Sequence, residues 1–160
     1  MTDKALREVV VPAEEATFWM DGWGNWCNRH GRFEHRKIIA YFNAAITRDA
    51  QGYFVSQING DVREKVYFRY EETALFVFDV RPGETLMLIL NTGREVRPEP
   101  GMLFIRNDHL YAREGDELIK FNEISMLKIS RFFDYAEGHC FLNYQGQRTA
   151  IPVMADQPST

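Results

Sequence analysis

The chain has 160 residues and a mass of 18.7 kDa, which fits one compact domain or two small lobes and excludes a large multidomain protein. Its 19 Lys and Arg residues against 23 Asp and Glu give a formal net charge of −4. Nucleic-acid-binding domains carry a basic excess, so no nucleic acid polymer is expected as a partner. The content of 45% hydrophobic, 14% aromatic and 26% charged residues is typical of a globular protein.

The sequence contains no run of about 18 apolar residues, so we expect no membrane-spanning helix. Its first residues are charged where a signal peptide would have an apolar core, which favours a cytoplasmic location. Two cysteines, Cys27 and Cys140, are too few for a disulfide framework. Both are expected to be reduced thiols, with a single bridge between them as the alternative.

The first half of the chain predicts an N-terminal arm, a turn, a strand and a helix. The arm covers residues 1–16 and ends in Pro12 followed by acids, which favours a short helix there. Glycines around Asp21 predict a turn that leads into a short strand over 25–29. Residues 35–49 have apolar side chains at helical spacing. The predicted apolar stripe of this helix contains Ile38, Ile39, Phe42, Ala45 and Ile46.

A central antiparallel meander is predicted over residues 53–91. Its first hairpin turns at Gly60, and its second hairpin consists of two nearly continuous apolar runs over 74–80 and 86–90. The following residues, 94–101, contain two prolines and a glycine and are the best candidate for a boundary between units.

Two parts of the chain share one order of short strand, glycine turn, helix, glycine and strand. Residues 26–31 align with 110–115, and both segments end in Arg-x-Gly. The glycines after the two helices keep the same spacing, as Gly52 and Gly60 and as Gly138 and Gly146. This repetition predicts an internal duplication whose two units superpose.

The second helix of the duplication is predicted over residues 122–133. Its apolar side chains cover most of its circumference, which indicates either a deeply buried helix or a segment that is partly a strand. The complete prediction is an α+β fold with two related strand-turn-helix-strand units and a central meander. Its parts are the arm at 1–16, the first repeat unit with the meander at 17–93, the second repeat unit at 102–154 and a disordered tail at 155–160.

These motifs resemble the bacterial domain-of-unknown-function family 1285. The resemblance covers most of residues 18–133 and is carried by aromatic and glycine motifs, including 19–26, 48–54 and 110–114. Family members usually have Thr-Pro before an acid where this chain has Arg63. The resemblance implies a second half similar to pleckstrin-homology folds, a nucleotide-like ligand between the halves and a role in signalling. It implies no catalytic residue.

A local basic patch beside aromatic residues gives the candidate ligand site. A guanidinium near an indole face is suited to an anion with a flat ring. Arg113 has the repeat position of Arg29, so these two cations are expected to face each other. The alternative is a solvated helix face for the cations and a core position for the tryptophan. The predicted ligand-binding residues are Trp26, Arg29, Arg36 and Arg113.

Metal and nucleophile motifs are incomplete. Cys27, His30 and His35 have a C-x2-H-x4-H spacing but lack a second ligand pair, so neither a metal nor a cofactor is expected. His139 and Cys140 are neighbours, and neighbours on a strand point to opposite faces, so they cannot act together as nucleophile and base.

The leading functional prediction is a non-catalytic small-ligand-binding or signalling module for an anionic or nucleotide-like ligand. One alternative is a small enzyme that uses Cys or His and would lose activity on Cys27→Ala or His30→Ala. The other is a protein-interaction domain, which would copurify with a protein partner or form a homo-oligomer.

Overall fold

A computed structural model describes residues 7–155, and the chain divides into two compact units, Met1–Ala74 and Leu75–Thr160. The division therefore falls inside the segment predicted to be one meander. The boundary predicted at 94–101 instead lies within the second unit, because Glu95 and Val96 pair antiparallel with Ile89 and Leu88 of the same unit. The outer parts of the predicted arm, 1–6, and tail, 156–160, lie outside the described residues.

The described part of the first unit contains seven strands, a 3-10 helix and one α-helix. In chain order they are β1 (Arg7–Val11), the 3-10 helix (Ala13–Glu15), β2 (Phe18–Met20), β3 (Trp26–Asn28), β4 (Gly31–Arg32), α1 (Arg36–Ala45), β5 (Thr47–Asp49), β6 (Gly52–Asn59) and β7 (Val62–Tyr67). One sheet has the order β1-β7-β6-β5, with β1 parallel to β7, and the other has the order β2-β3-β4. The described part of the arm is thus an edge strand followed by the short helix predicted after Pro12.

Helix α1 is confirmed but is shorter than predicted. It ends at Ala45, and Thr47–Asp49 form β5, which pairs antiparallel with β6. Strand pairing therefore takes residues that the helical spacing had assigned to the helix. The buried face of the helix also differs from the predicted apolar stripe. Asn43, which is polar, is buried, whereas Ile38, which was predicted to belong to the stripe, is 46% exposed.

The described part of the second unit contains nine strands and one α-helix. They are β8 (Phe76–Arg81), β9 (Met87–Leu90), β10 (Glu95–Val96), β11 (Leu103–Arg106), β12 (His109–Glu114), β13 (Glu117–Phe121), α2 (Glu123–Ser130), β14 (Phe133–Ala136), β15 (His139–Tyr144) and β16 (Gln147–Ile151). The larger sheet has the order β10-β9-β8-β13-β12-β11, and a smaller one has the order β14-β15-β16. The two hairpins predicted in the meander are both present, β6-β7 in the first unit and β8-β9 in the second.

Polar contacts hold α2 against β8, although the apolar side chains of the helix are not confined to one face. The Asn122 side-chain oxygen accepts a hydrogen bond from the Ser125 N–H at 2.8 Å and caps the helix. The buried Ser125 hydroxyl donates to the carbonyl of Val77 on β8 at 2.6 Å. Ile129 is fully buried, but Ile124 and Leu127 are exposed. The segment is therefore a helix with one buried face rather than a deeply buried one, and it ends at Ser130, before Phe133, the last residue of the predicted helix, begins β14.

The two units share an order of elements. Three strands, a helix and a three-stranded meander follow one another as β2-β3-β4, α1 and β5-β6-β7, and again as β11-β12-β13, α2 and β14-β15-β16. In the meander turns Gly60 has φ +65° and Gly146 has φ +81°, a conformation that favours glycine. The α+β fold with two related strand-turn-helix-strand units is confirmed, and the second unit adds β8, β9 and β10.

No helix within residues 7–155 is long and apolar enough to cross a membrane.

Candidate functional site

The second unit contains a groove with a volume of about 850 Å³. It lies where the β11-β12 hairpin and α2 approach the β14-β16 sheet. Its lining is mainly apolar and includes Ile105, Leu110, Met126, Phe133, Ile151 and Val153. The size falls within the range of roughly 300–1,000 Å³ that is typical of pockets for small molecules.

Strand register explains why these side chains share one surface. Tyr135 on β14, Cys140 on β15 and Ile151 on β16 are directly opposite one another, so their side chains lie on the same face of the sheet. Beyond β16, the Ile105 N–H donates to the carbonyl of Pro152 at 2.9 Å. This bond joins the end of the small sheet to β11 and closes one side of the groove.

The polar groups of the groove lie in and beside two turns. Asp108 has φ +59° and forms, with Asn107, the turn between β11 and β12 at the lining of the groove. His109 follows, and its Nε2 lies 2.7 Å from the carbonyl oxygen of Phe121, which fixes the ring. His139 comes from the opposite turn, between β14 and β15. The lining contains no Lys or Arg among the described residues, so the groove offers a carboxylate and imidazoles but no permanent cation.

The thiol in the groove is protonated. Burial raises the pKa of Cys140, and a hydrogen bond with Tyr135 lowers it by less. Burial is also the main cause that raises the pKa of the Tyr135 hydroxyl. The charge of Cys140 and its hydrogen bond with Tyr135 raise that pKa further. The thiolate is the reactive form of cysteine, so this arrangement provides a small apolar surface and not a nucleophile.

Trp26, one of the predicted ligand-binding residues, lies in the core of the first unit. It is 1% exposed, and its indole N–H donates to the side-chain oxygen of Asn43 at 2.7 Å. Its ring centre lies 5.7 Å from that of Phe18, 5.2 Å from that of Phe42 and 4.7 Å from that of Phe68, all at steep angles. The prediction of an indole face open to a ligand is therefore wrong, because protein rings cover it.

The three predicted arginines are exposed. Arg29 has its Nε 3.2 Å from the Nε2 of His30, and Arg36 is the first residue of α1. Arg113 lies on β12 with its guanidinium 5.8 Å from the centre of the Phe104 ring. Arg29 and Arg36 belong to the first unit and Arg113 to the second. That Arg29 and Arg113 face each other therefore stays a prediction.

The residues of the possible zinc motif have separate local roles. Cys27 is a buried free thiol on β3, and burial, then the charge of Asp21, raises its pKa. His30 lies in the exposed turn after β3, and the Nδ1 of His35 accepts the N–H of Ile38 at the start of α1. In the described range, 7–155, no group of three or more His, Cys, Asp or Glu side chains is placed to hold a metal. Cys140 is also a free thiol.

A charged cluster that the sequence did not predict lies on the first unit's larger sheet. The Asp49 carboxyl accepts hydrogen bonds from the Lys65 ammonium at 2.6 Å and the Tyr67 hydroxyl at 2.5 Å. Mainly through the Lys65 bond, the pKa of Asp49 is lowered to about 2, and that of Lys65 is raised to about 12. The Lys65 ammonium also lies 4.3 Å from the Phe54 ring centre. Because their pKa values are about 2 and about 12, Asp49 and Lys65 both stay charged near neutral pH and exchange no proton there.

The groove itself was also missed from the sequence. Its residues come from five strands, a helix and two turns. A weak signal was present in the alternation of apolar side chains on the last hairpin, where Cys140, Leu142 and Ile151 face inward. The surface that packs on this face of the hairpin comes from distant parts of the chain, and the alternation of apolar residues gives no information about it.

Two crystal structures share the architecture described above, whereas comparisons with protein-family models and with curated proteins give no match. A DUF1285 family protein from Silicibacter pomeroyi DSS-3 aligns with a TM-score of 0.60 and 14% identity, over 91% of this chain and 84% of that one. A DUF1285 family protein from Shewanella baltica OS155 aligns with a TM-score of 0.51 and 16% identity, over 76% of this chain and 96% of that one. The resemblance drawn from the sequence is confirmed at the level of structure: the chain has the fold of these DUF1285 family proteins.

Proposed function

We propose that the protein is a non-catalytic small-ligand-binding module and that the groove of the second unit holds its ligand. The observation that carries this proposal is a mainly apolar groove of about 850 Å³ whose lining, in the described part of the chain, includes no Lys or Arg. Concave apolar surfaces with a few fixed polar groups are the usual form of small-molecule sites.

The chemistry of the groove favours binding over turnover. Nucleophilic catalysis by cysteine needs a thiolate beside a base that accepts its proton. Burial raises the pKa of Cys140, and one nitrogen of His109 is already held by the Phe121 carbonyl. His139 precedes Cys140 on the same strand, where neighbouring side chains point to opposite faces. These features argue against the alternative of a Cys- or His-dependent enzyme.

The charge of the groove favours an uncharged ligand with a flat or branched apolar body. Its only permanent charge in the described lining is the carboxylate of Asp108, which would repel a phosphate or a carboxylate at close range. The described lining still offers a neutral ligand a hydrogen-bond acceptor, the Ser130 hydroxyl oxygen, whose own hydrogen goes to the carbonyl of Leu127 at 2.8 Å.

An anionic or nucleotide-like ligand is the second candidate, and it would bind elsewhere. The observation that favours it is the exposure of the guanidinium groups of Arg29, Arg36 and Arg113. Guanidinium groups match the geometry of phosphate and carboxylate oxygens. A signalling role and a second unit of pleckstrin-homology type remain part of the same proposal, on the basis of the family resemblance. A cytoplasmic location also remains part of it, on the basis of the sequence composition with its two cysteines.

The first test uses Nile red, an uncharged apolar dye, as a probe of the groove. We expect saturable dye fluorescence with the full chain and a large loss of binding for Ser130→Phe, which places a ring at the exposed end of α2 in the groove. The matched control is Asn143→Phe, which adds the same ring on the opposite, exposed face of β15. The absence of saturable binding, or equal binding by both variants and the unmodified chain, would refute the proposal.

The second test separates the two ligand classes by thermal shift. Nucleotides and organic phosphates should stabilise the chain only if the arginines bind them, and Arg29→Ala/Arg113→Ala should then abolish the shift. Uncharged aromatic compounds should raise the melting temperature of this variant and of the unmodified chain equally. A shift with nucleotides that Ser130→Phe removes would place the anion in the groove and contradict the charge argument.

A further inference from the structure

We propose that the outer face of α1, formed by Lys37, Ile38, Tyr41 and Ala44, is a docking surface for an acidic amphipathic segment of a protein partner. This inference concerns the first unit and does not depend on the groove. It rests on two properties of one helix, its exposed apolar side chains and its uniform charge.

The outer face of α1 exposes two large apolar side chains and, one turn further on, a small alanine. Ile38 is 46% exposed and Tyr41 is 60% exposed. They are three residues apart, so they are neighbours on the helix surface, and Lys37 is one turn before Tyr41. Ala44, one turn further on, is exposed and small, so the backbone of a partner could approach closely there. Side chains on the inner face, such as Asn43, are buried and give the helix a fixed base.

The charge of α1 defines the chemistry of the partner. The helix carries Arg36 and Lys37 and no acidic residue. Both cations lie in the first turn, where the helix dipole disfavours positive charge, and neither has an ion-pair partner among residues 7–155. Of the two cations, Lys37 lies on the outer face, one turn before Tyr41, so carboxylates of a partner segment that reach Lys37 would lie next to the two apolar side chains.

A protein segment fits this surface better than a membrane. Membrane attachment by an interfacial helix needs a broad apolar face, and here the face has two large apolar side chains. The net charge of −4 would also weaken attraction of the chain to anionic lipid. Tyrosine is among the residues that contribute most to protein interfaces, and a short amphipathic segment is a common ligand for such surfaces.

Helix α2 provides a matched control within the same chain. It also exposes two large apolar residues three positions apart, Ile124 at 64% and Leu127 at 76%. Its charges differ, because Glu123 lies in its first turn and Lys128 in its last, as the helix dipole prefers. If apolar exposure alone caused binding, both helices would bind the same peptides.

The experiment selects ligands from a phage-displayed library of random peptides about 12 residues long, enough for three helical turns. With the full chain as target, we expect enriched peptides that combine Asp or Glu with Leu, Phe or Trp. Their affinity should fall at least about tenfold for Ile38→Ser/Tyr41→Ser, as for the loss of a central interface residue. It should change less than about twofold for Ile124→Ser/Leu127→Ser, whose positions are not part of the surface.

The charge is tested separately with Arg36→Gln/Lys37→Gln, which keeps both apolar side chains and the polar character of the first turn. We expect the same loss of peptide affinity and a weaker dependence of binding on salt. Failure to enrich peptides, enrichment without acidic residues, or equal loss in the α2 control would overturn the proposal. Binding to phosphatidylserine vesicles that the α1 variants abolish would assign the surface to membranes and would also overturn it.

Discussion

Replacement of Asn43 by alanine tests whether the buried hydrogen bond to Trp26 organises the core of the first unit. Asn43 is 5% exposed on the inner face of α1, and its side-chain oxygen accepts the indole N–H at 2.7 Å. The bond joins the helix to β3 inside a cluster of aromatic rings, where both side chains are buried. Asn43→Ala therefore leaves a buried donor without a partner.

The expected loss of stability follows from that unpaired donor. A buried polar group without its hydrogen bond costs about 1–3 kcal/mol, whereas a typical exposed substitution changes stability by less than about 0.5 kcal/mol. A loss of about 2 kcal/mol is a large part of the 5–15 kcal/mol typical of a small protein. The matched control, Asn143→Ala, removes the same amide from an exposed position on β15 and should have little effect.

The assay is urea unfolding followed by far-ultraviolet circular dichroism, which does not depend on the tryptophan signal. Trp26→Phe removes the donor and keeps an aromatic ring, so Asn43→Ala should cost about 1 kcal/mol less in that background. Equal costs in the two backgrounds, or a stability of Asn43→Ala within about 0.5 kcal/mol of the unmodified chain, would refute this account of the core.

Two further predictions follow from the titratable groups. The pKa of Asp49 is lowered from 3.8 to about 2, so its bonds to Lys65 and Tyr67 stabilise the fold above about pH 4 and this contribution is lost as the pH falls towards 2. Asp49→Asn should therefore flatten the loss of melting temperature over that range, and an unchanged acid profile would contradict the cluster. Burial raises the pKa of Cys27 and Cys140, so both thiols should react with Ellman's reagent much more slowly in the folded chain than in urea at pH 8. Rapid labelling of either thiol in the folded chain would show that it is accessible and ionised.

Local patterns in the sequence determined the elements and their order. The glycines at the meander turns, Gly60 and Gly146, have positive φ, which is why their positions could be recognised without coordinates. The helix over Glu123–Ser130 follows Asn122, a side chain suited to capping. Such signals act over a few residues, and for that reason the strand-turn-helix-strand repeat was visible before the fold was known.

Tertiary structure decided which surfaces these elements bury. The helical spacing placed Ile38 on the inner stripe of α1, but packing on the sheet selects the side with Asn43, because its oxygen completes the bond of Trp26. The parallel pairs of β1 with β7 and of β8 with β13 join strands far apart in the chain. Each pair lies within one of the two units that divide between Ala74 and Leu75, and the groove is closed by another long-range contact, the Ile105 N–H to the carbonyl of Pro152. Spacing within one segment carries no information about a partner strand or covering surface elsewhere in the chain, so these features required the folded structure.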